Sequence, residues 1–381
     1  MGAPGRFGIA ETLTIKNWGD GEVTDIQAKT IWQHAAGDTN RKYVDLCLKW
    51  GVILNGPGDY GPWPDCEESL RKDEWSKRKI TDLRRFCQGM NDRDFVVLRL
   101  GTNSIYGVGQ IVGDYEHCEE FNDIDGWAIA HVRRTRWLWK YKENPKKFDT
   151  NTLKRGDTTQ LLDAPAVKSW LESLEIPDAE RERTPVDLPN IGDDANVSVG
   201  DISEYLFDKG VASNSISSLL DQIGELIRIA NWYNRSKETP SEHETVNYLV
   251  VPLLRALGWT PQRMAIEWQK IDVALFSSLP RTEESLSVVV EAKKKDASCL
   301  SAFEQARDYS SALAGKICRR IIVTDGLRYG VFVRDSVDQP FSLYAYMNLT
   351  RLRNDYPIYE CKGVRDALLM MTPEWSSVEG S

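Results

Sequence analysis

A run of apolar, mostly β-branched residues that ends in opposite charges is the strongest constraint in this sequence. The segment VVVEAKKK carries Glu291 and Lys293 two residues apart. Side chains alternate across a strand, so these two point to one face and Ala292 points to the other. Burying a carboxylate and an amine at the end of such a strand costs free energy unless they are paired or used. The pattern therefore predicts either a salt bridge at a strand end or part of a reactive site.

A second apolar strand, KIDVALF, begins with an acid in the same way. If the two strands pair, Asp272 and Glu291 can share one cation. Carboxylate oxygens are ligands that Mg²⁺ prefers, and the ion keeps several waters. A lysine beside such an ion can orient or deprotonate an attacking water, or stabilise the charge that develops on a phosphate. These residue types together favour metal-assisted phosphodiester hydrolysis.

A helix that opens at Pro240-Ser241 and ends at Gly258 precedes these strands and offers two further acids. Ser241 is a plausible cap, and Glu244 stands three residues later, which is a capping-box spacing. One of Glu242 and Glu244 is expected to cap the helix, and the other to reach the reactive site.

Residues 240–335 resemble the PD-(D/E)XK nuclease superfamily, and more narrowly the N-terminal nuclease domain of type I restriction R subunits. The matching stretches are SEHETVNYLVVPLLRALGW, IDVALF, VVVEAKK, QARDY and RRIIVTDGLRYGVF. The resemblance implies a restriction-endonuclease-like α/β core with a mixed sheet and a bound Mg²⁺, for which Mn²⁺ is an expected substitute. The implied catalytic residues are Asp272, Glu291, Lys293, Glu242 and Gln305. The implied metal ligands are Asp272, Glu291 and Glu242.

Two departures from that family pattern are visible. Ile271 stands where the family usually has a proline, which is a common variation. The helicase motor of type I R subunits is missing, and no GxxxxGK[ST] loop is present, so no ATP is expected. Gln305 could equally be an ordinary exposed helix residue.

The first part of the chain, residues 22–142, reads as a mainly β unit with one short helix, Lys79–Met90. Expected strands are Thr30–Ala35, Trp50–Asn55, Asp94–Leu100 and Ile105–Val112. The segments TIWQHAAGD, ITDLRRFCQGMNDRDFVVLRLG and YGVGQIVGDY resemble the PUA-like superfold, in particular its EVE-like modules that read modified bases. The resemblance implies a β-barrel that binds a flipped base.

Such a base would be held by aromatic stacking and by hydrogen bonds to its edge. The candidate pocket residues are Trp32, Tyr60, Trp63, Asp59 and Asn55. Trp32 could instead be a core residue, and the two loop aromatics could simply cover the end of the barrel.

A basic, aromatic run from His131 to Lys147 is the expected contact with the DNA backbone. The candidate backbone contacts are Arg133, Arg134, Arg136, Lys140 and Lys142, with Lys294 from the nuclease segment. The alternative is a solvated basic edge strand. The net charge of −9 argues against a protein that coats DNA through bulk charge, and leaves a local basic patch open.

Charge and proline content divide the chain. Acids dominate from Asp163 to Asp208, and residues 176–198 contain three prolines and are interpreted as a linker. We expect an α+β multidomain protein with a PUA-like reader at 22–150, an acidic linker region at 151–200, a helical connector at 201–236 and a nuclease domain at 237–375.

The cysteine spacing and the apolar content of the sequence indicate the cellular compartment of the protein. The seven cysteines are scattered and never spaced CxxC, so neither a disulfide framework nor a zinc site is expected. No apolar run is long enough for a membrane span, and the first ten residues lack a secretory pattern. These features indicate a cytoplasmic protein that does not enter a membrane.

Together these features predict a modification-dependent, type IV-like restriction endonuclease. Its expected partner is double-stranded DNA that carries a modified base. One active site per chain predicts a homodimer for double-strand cleavage. The alternatives are a catalytically silent nucleic-acid-binding protein and a nuclease that acts on RNA.

Overall fold

The protein divides into two compact units, Met1–Leu188 and Pro189–Ser381. The structure is a computed structural model. It describes residues 30–38, 41–176, 186–189, 196–236, 238–313, 318–336 and 338–375. The start of the expected reader domain, residues 22–29, and most of the expected linker, residues 177–185 and 190–195, lie outside the described residues.

A mixed sheet forms the centre of the first unit. Its strands are β1 (Ile31–Ala35), β2 (Val52–Asn55), β3 (Phe95–Leu100), β4 (Ser104–His117), β5 (His131–Lys140), β6 (Lys146–Lys147) and β7 (Thr159–Leu161). Their order is β2-β5-β4-β3-β1-β7, and β6 pairs with β4. The pair β1–β3 is parallel, whereas β3–β4 and β4–β5 are antiparallel.

Short helices cover this sheet. They are α1 (Val44–Trp50), α2 (Cys66–Lys72), α3 (Lys77–Arg84) and α4 (Pro165–Glu172). A π turn, Arg85–Gly89, continues α3, so the expected helix Lys79–Met90 exists but begins two residues earlier. The predicted strand Trp50–Asn55 begins only at Val52, because Trp50 ends α1 and Gly51 reverses the chain with φ 60°.

A second mixed sheet forms the centre of the other unit. Its strands are β8 (Met264–Trp268), β9 (Ile271–Phe276), β10 (Leu286–Ala292), β11 (Arg320–Thr324), β12 (Arg328–Val333), β13 (Ser342–Asn348), β14 (Asp355–Tyr356) and β15 (Cys361–Lys362). Their order is β14-β15-β13-β12-β11-β10-β9-β8. Strands β10 and β11 are parallel, and β9 pairs with β10 antiparallel. The expected α+β class with mixed sheets is confirmed.

Helices pack on both faces of this second sheet. They are α5 (Val199–Asp208), α6 (Ser213–Ser236), α7 (Glu242–Thr245), α8 (Val251–Ala256), α9 (Phe303–Leu313) and α10 (Val364–Met371). A π turn, Val246–Val250, joins α7 to α8. Short 3-10 turns are Glu119–Asn122, Pro261–Arg263, Glu283–Ser285 and Leu300–Ala302. The 3-10 turn Leu300–Ala302 leads directly into α9, which contains the stretch QARDY of the family resemblance.

The expected connector, residues 201–236, belongs to the core of the second unit. Ile202 and Leu206 on α5 and Leu219 and Leu226 on α6 share one buried cluster with the sheet residue Val288. The amphipathic spacing of α6 thus matches a face that is buried in the cluster shared with the second sheet.

The described residues contain neither a disulfide nor a candidate membrane span. None of the seven cysteines is in a disulfide. Within the described ranges, none of the helices is both long enough and apolar enough to cross a membrane.

The turn between β11 and β12 is held tightly against the end of α7 and the π turn that follows it. Gly326 has φ +86°, and a Cβ placed there would lie 2.7 Å from Leu249 Cβ and 3.1 Å from Thr245 Cγ2. A side chain at this position is therefore excluded both by the backbone conformation and by the close approach.

We expect Gly326→Ala to destabilise the second unit by about 2 kcal/mol or more, because it combines a positive φ with overpacking. Gly224→Ala is the matched control. Gly224 lies inside α6 with open space around it, so alanine should stabilise by about 0.5–1 kcal/mol. Urea unfolding measures whether each variant is more or less stable than the unaltered protein. Equal stabilities of the two variants would contradict this packing.

Candidate active site

Two adjacent strands bring the predicted acids to one place. In the antiparallel pair β9–β10, Val290 lies opposite Val273. The same register continued by one residue sets Glu291 opposite Asp272. The backbone N–H of Ala292 donates to Asp272 Oδ2 at 2.7 Å, which fixes this carboxylate across the strand pair.

Glu291 is a buried carboxyl with an unused oxygen. Glu291 is only 1 % exposed. Its Oε2 has no hydrogen-bond partner in the described part of the chain. Burial first, and then the charges of Asp272 and Glu242, raise the pKa of Glu291 to about 8. An unpaired carboxylate in such a place costs free energy unless a cation approaches it.

Lys293 lies between the acid and the predicted glutamine. Its Nζ is 3.9 Å from Glu291 Oε1 and donates to Gln305 Oε1 at 3.2 Å. Gln305 Nε2 in turn donates to Tyr309 Oη at 3.2 Å. The salt-bridge alternative for Glu291 and Lys293 is weak, because 3.9 Å is long for a charge-assisted hydrogen bond and the raised pKa favours a neutral carboxyl.

The two acids of the preceding helix have different positions. Ser241 and Glu244 form the expected capping box, in which Ser241 N donates to Glu244 Oε2 at 2.7 Å. Glu242 is the other acid, and its charge raises the pKa of both Asp272 and Glu291. Burial is the larger cause of the raised pKa of Asp272. The structure thus brings Glu242 near the acid pair and assigns Glu244 to the helix end.

The carboxylates of Asp272 and Glu291 suit an open Mg²⁺ site better than a metal site that is closed by protein ligands alone. Among the residues that the structure describes, no group of three or more His, Cys, Asp or Glu side chains is arranged to hold a metal ion. Mg²⁺ is commonly bound by one or two carboxylates, waters and substrate phosphates. Asp272 and the unpartnered Glu291 Oε2 fit that requirement, and Glu242 adds negative charge nearby.

The lysine two residues after Lys293 ties the site to the surrounding helices. Lys295 is only 5 % exposed. Its Nζ donates to Asn234 Oδ1 of α6 at 2.7 Å, and its backbone N–H donates to Thr245 Oγ1 of α7 at 3.2 Å. Lys295 is therefore a buried anchor, whereas its neighbour Lys294, the candidate contact with the DNA backbone, is exposed.

Two of the predicted base-pocket residues make buried hydrogen bonds within the protein. Trp32 is buried and its Nε1 donates to Asp94 Oδ2 at 2.9 Å. Asn55 is buried and accepts from Lys79 Nζ at 3.0 Å. Both side chains are therefore committed to internal contacts, and we remove them from the base-contacting set.

The loop residues of that set are arranged differently. Tyr60 Oη donates to Asp73 Oδ2 at 2.9 Å, and Asp59 is exposed. Trp63 is 7 % exposed, yet its Nε1 has no partner among the described residues. An indole N–H without an acceptor in a buried site is costly, so Trp63 is the member of this set most in need of a ligand acceptor.

Buried polar residues that the sequence did not single out hold this loop. His131 Nε2 contacts Pro57 O at 2.9 Å, and its Nδ1 contacts Tyr115 Oη at 2.8 Å. Tyr115 Oη also accepts from the backbone N–H of Trp63 at 3.0 Å. Burial lowers the pKa of His131 to about 4, which keeps the ring neutral. The spacing of these residues along the chain provides no signal for the network.

The basic run is only partly available for a phosphate. Arg133 is buried and donates to Met90 O at 2.7 Å, so it is not an exposed contact. Arg134 Nε donates to Glu116 Oε1 at 2.9 Å. Arg136 and Lys140 are half-buried, and Lys142 is exposed. β5 pairs with both β2 and β4, so the edge-strand alternative is also excluded.

Comparison with known proteins assigns no activity to the chain. A family model described as Domain of unknown function (DUF8426) matches residues 32–161. This match covers 130 of the 381 residues, from the start of β1 to the end of β7. Neither the curated proteins nor the solved structures include a significant match. The matched segment is therefore the sheet of the first unit, without a function attached.

We expect Glu291 to contribute a loss of stability to the cation-free protein as pH rises from 4.5 to about 8, because this residue keeps its proton in the fold but loses it in the unfolded chain. The variant Glu291→Gln should lack this contribution. Urea unfolding at several pH values in EDTA measures the difference. The exposed control Glu283→Gln should follow the unaltered protein, and parallel curves for all three proteins would contradict the raised pKa.

Proposed function

We propose that this protein is a Mg²⁺-dependent DNA endonuclease whose first unit reads a modified base. The observation that carries the proposal is the cluster on β9 and β10. There Asp272 is fixed by the Ala292 N–H, Glu291 is buried with an unpaired oxygen, and Lys293 is held beside it. The PD-(D/E)XK resemblance of residues 240–335 supports the same chemistry.

Each side chain of the cluster has a role in hydrolysis. Asp272 and Glu291 would hold Mg²⁺, and Glu242 would add a contact or position water. When bound, the ion lowers the pKa of water and neutralises charge on the scissile phosphate. Lys293 Nζ, directed by Gln305 Oε1, orients the attacking water or stabilises the negative charge that develops on the phosphoryl oxygens.

We propose that the first unit determines which DNA is cut and that it is a PUA-like, EVE-like reader of a modified base. Trp63 would donate its free Nε1–H to the base edge, and Tyr60 and Asp59 lie in the same loop. Lys142 in the first unit and Lys294 in the second are exposed cations suited to phosphate contacts. Cutting both strands with one site per chain calls for a homodimer.

We expect the protein to cut DNA from a panel of base-modified phage and plasmid substrates in Mg²⁺ or Mn²⁺, and EDTA to stop it. Glu291→Gln and Lys293→Met should each reduce cleavage by about a hundredfold or more while DNA binding persists. Glu283→Gln and the exposed Lys362→Ala are matched controls that should cut normally.

Two results would overturn this assignment. One is metal-dependent cleavage that survives both substitutions. The other is binding without cleavage of any substrate, which would favour the silent binding protein. Structured RNA belongs in the same panel, because selective cleavage of RNA would favour the third alternative.

The reader proposal has its own test. Trp63→Phe keeps an aromatic ring and removes only the indole N–H, so we expect about tenfold weaker binding to the modified DNA that is cut best. Trp170→Phe is the control, since Trp170 packs on Trp139 elsewhere in the unit. Filter binding or fluorescence anisotropy compares them with modified and plain DNA. Equal affinities would remove Trp63 from the recognition site.

A further inference from the structure

A separate cavity lies at the other end of the first sheet. It has a volume of about 890 Å³. Its walls come from the ends of β1 and β3, from the β3–β4 turn and from the segment that precedes β7. None of the predicted base-pocket residues lines it. Its size falls in the range of about 300–1,000 Å³ that is typical of small-molecule sites.

The cavity contains a buried cation with an unused donor. Arg99 lines the wall and is 5 % exposed. Both hydrogen bonds of its guanidinium within the described residues go to backbone carbonyls, Gly101 O at 2.7 Å and Asp157 O at 3.3 Å. In the same part of the chain its Nε has no partner. The buried Asp82 acts on Arg99 through its charge, but its carboxylate pairs with Lys79 Nζ at 3.6 Å. A buried guanidinium whose hydrogen bonds within the described residues go only to backbone carbonyls is a site for an anion from outside.

The charges around Arg99 do not cancel it. Lys42 and Arg155 are exposed cations on the wall. The acid Asp157 also lines it, but its carboxylate already pairs with Arg78 and with Arg85, the latter at 3.2 Å. The other acid, Asp38, accepts a hydrogen bond from the backbone N–H of Arg41 at 2.9 Å. The lining therefore favours a negatively charged group.

Aromatic rings line the same cavity. Trp127, Tyr43 and Tyr106 contribute to its wall. Tyr43 packs edge-on against Trp127, with ring centroids 5.8 Å apart, and Tyr106 packs edge-on against Tyr141 at 5.0 Å. Rings that are held in place in this way lose little entropy when a planar ligand stacks on them. The combination of cations and fixed rings suits a ligand with a negative group and a flat ring.

We propose that this cavity binds a nucleotide, with the phosphate toward Arg99, Lys42 and Arg155 and the base against Tyr106 and Trp127. The nucleotide is either free or a unit of a nucleic-acid strand. The assignment does not depend on cleavage by the second unit, so it stands or falls separately from the nuclease.

Isothermal titration calorimetry of the full chain tests the cavity directly. The probes are AMP, GMP, CMP and TMP, a short single-stranded oligonucleotide, and inorganic phosphate. The variants are Lys42→Ala combined with Arg155→Ala, which removes exposed charge at the rim, and Tyr106→Leu, which removes a ring. Lys72→Ala is the control, because it removes an exposed charge that is not part of the wall.

We expect a nucleotide to bind the unaltered protein and the control equally, and to bind the charge variant about tenfold more weakly. Tyr106→Leu should weaken nucleotide binding and leave phosphate binding unchanged. Mononucleotide binding identifies a free ligand, and binding of the oligonucleotide alone identifies a strand. The proposal is overturned if no probe binds, if the variants bind as the control does, or if phosphate binds as tightly as a nucleotide.

Discussion

The candidate site of the second unit depends on the burial of one carboxyl group at the end of β10. Glu291 is enclosed by the sheet, next to Asp272 and under the charge of Glu242, and these surroundings raise its pKa to about 8. A fold that only needed stability would gain from an apolar residue there. Retaining a carboxyl in this position has a chemical rationale when a cation arrives to share its charge. Under the proposed function, the same electrostatic cost that weakens the cation-free protein would become affinity for the ion.

The neighbouring contacts limit how far the site can relax. The Ala292 N–H holds Asp272, and Gln305 holds Lys293. Lys295 anchors the end of β10 to α6 and α7. Side chains that already occupy their working positions lose less free energy when a substrate binds. The helices that precede the sheet therefore support the site geometry, and they are not a passive spacer.

Sequence patterns identified the second unit better than the first. Apolar runs indicated β9 and β10, and the family resemblance covered the segments that form α9, β11 and β12. The spacing of Ser241 and Glu244 indicated a helix cap that is present. The strand β13 and the helix α10 carried no chemical motif and were not predicted. In the first unit, α1 was missed because Val44–Trp50 is only seven residues long, too short for a clear helical period.

The burial of individual side chains could not be predicted from the sequence. Arg133 and Arg134 are adjacent in the chain, but strand alternation buries the first beneath Met90 O and places the second beside Glu116. Trp32 and Trp63 are both nearly enclosed, yet one has Asp94 as acceptor and the other has an unused N–H. In the sequence, Arg99 is an ordinary residue of a predicted strand, and only its neighbours in the fold distinguish it. In each case the proposed role rests on which hydrogen-bond donors remain unsatisfied, and this depends on partners from distant parts of the chain.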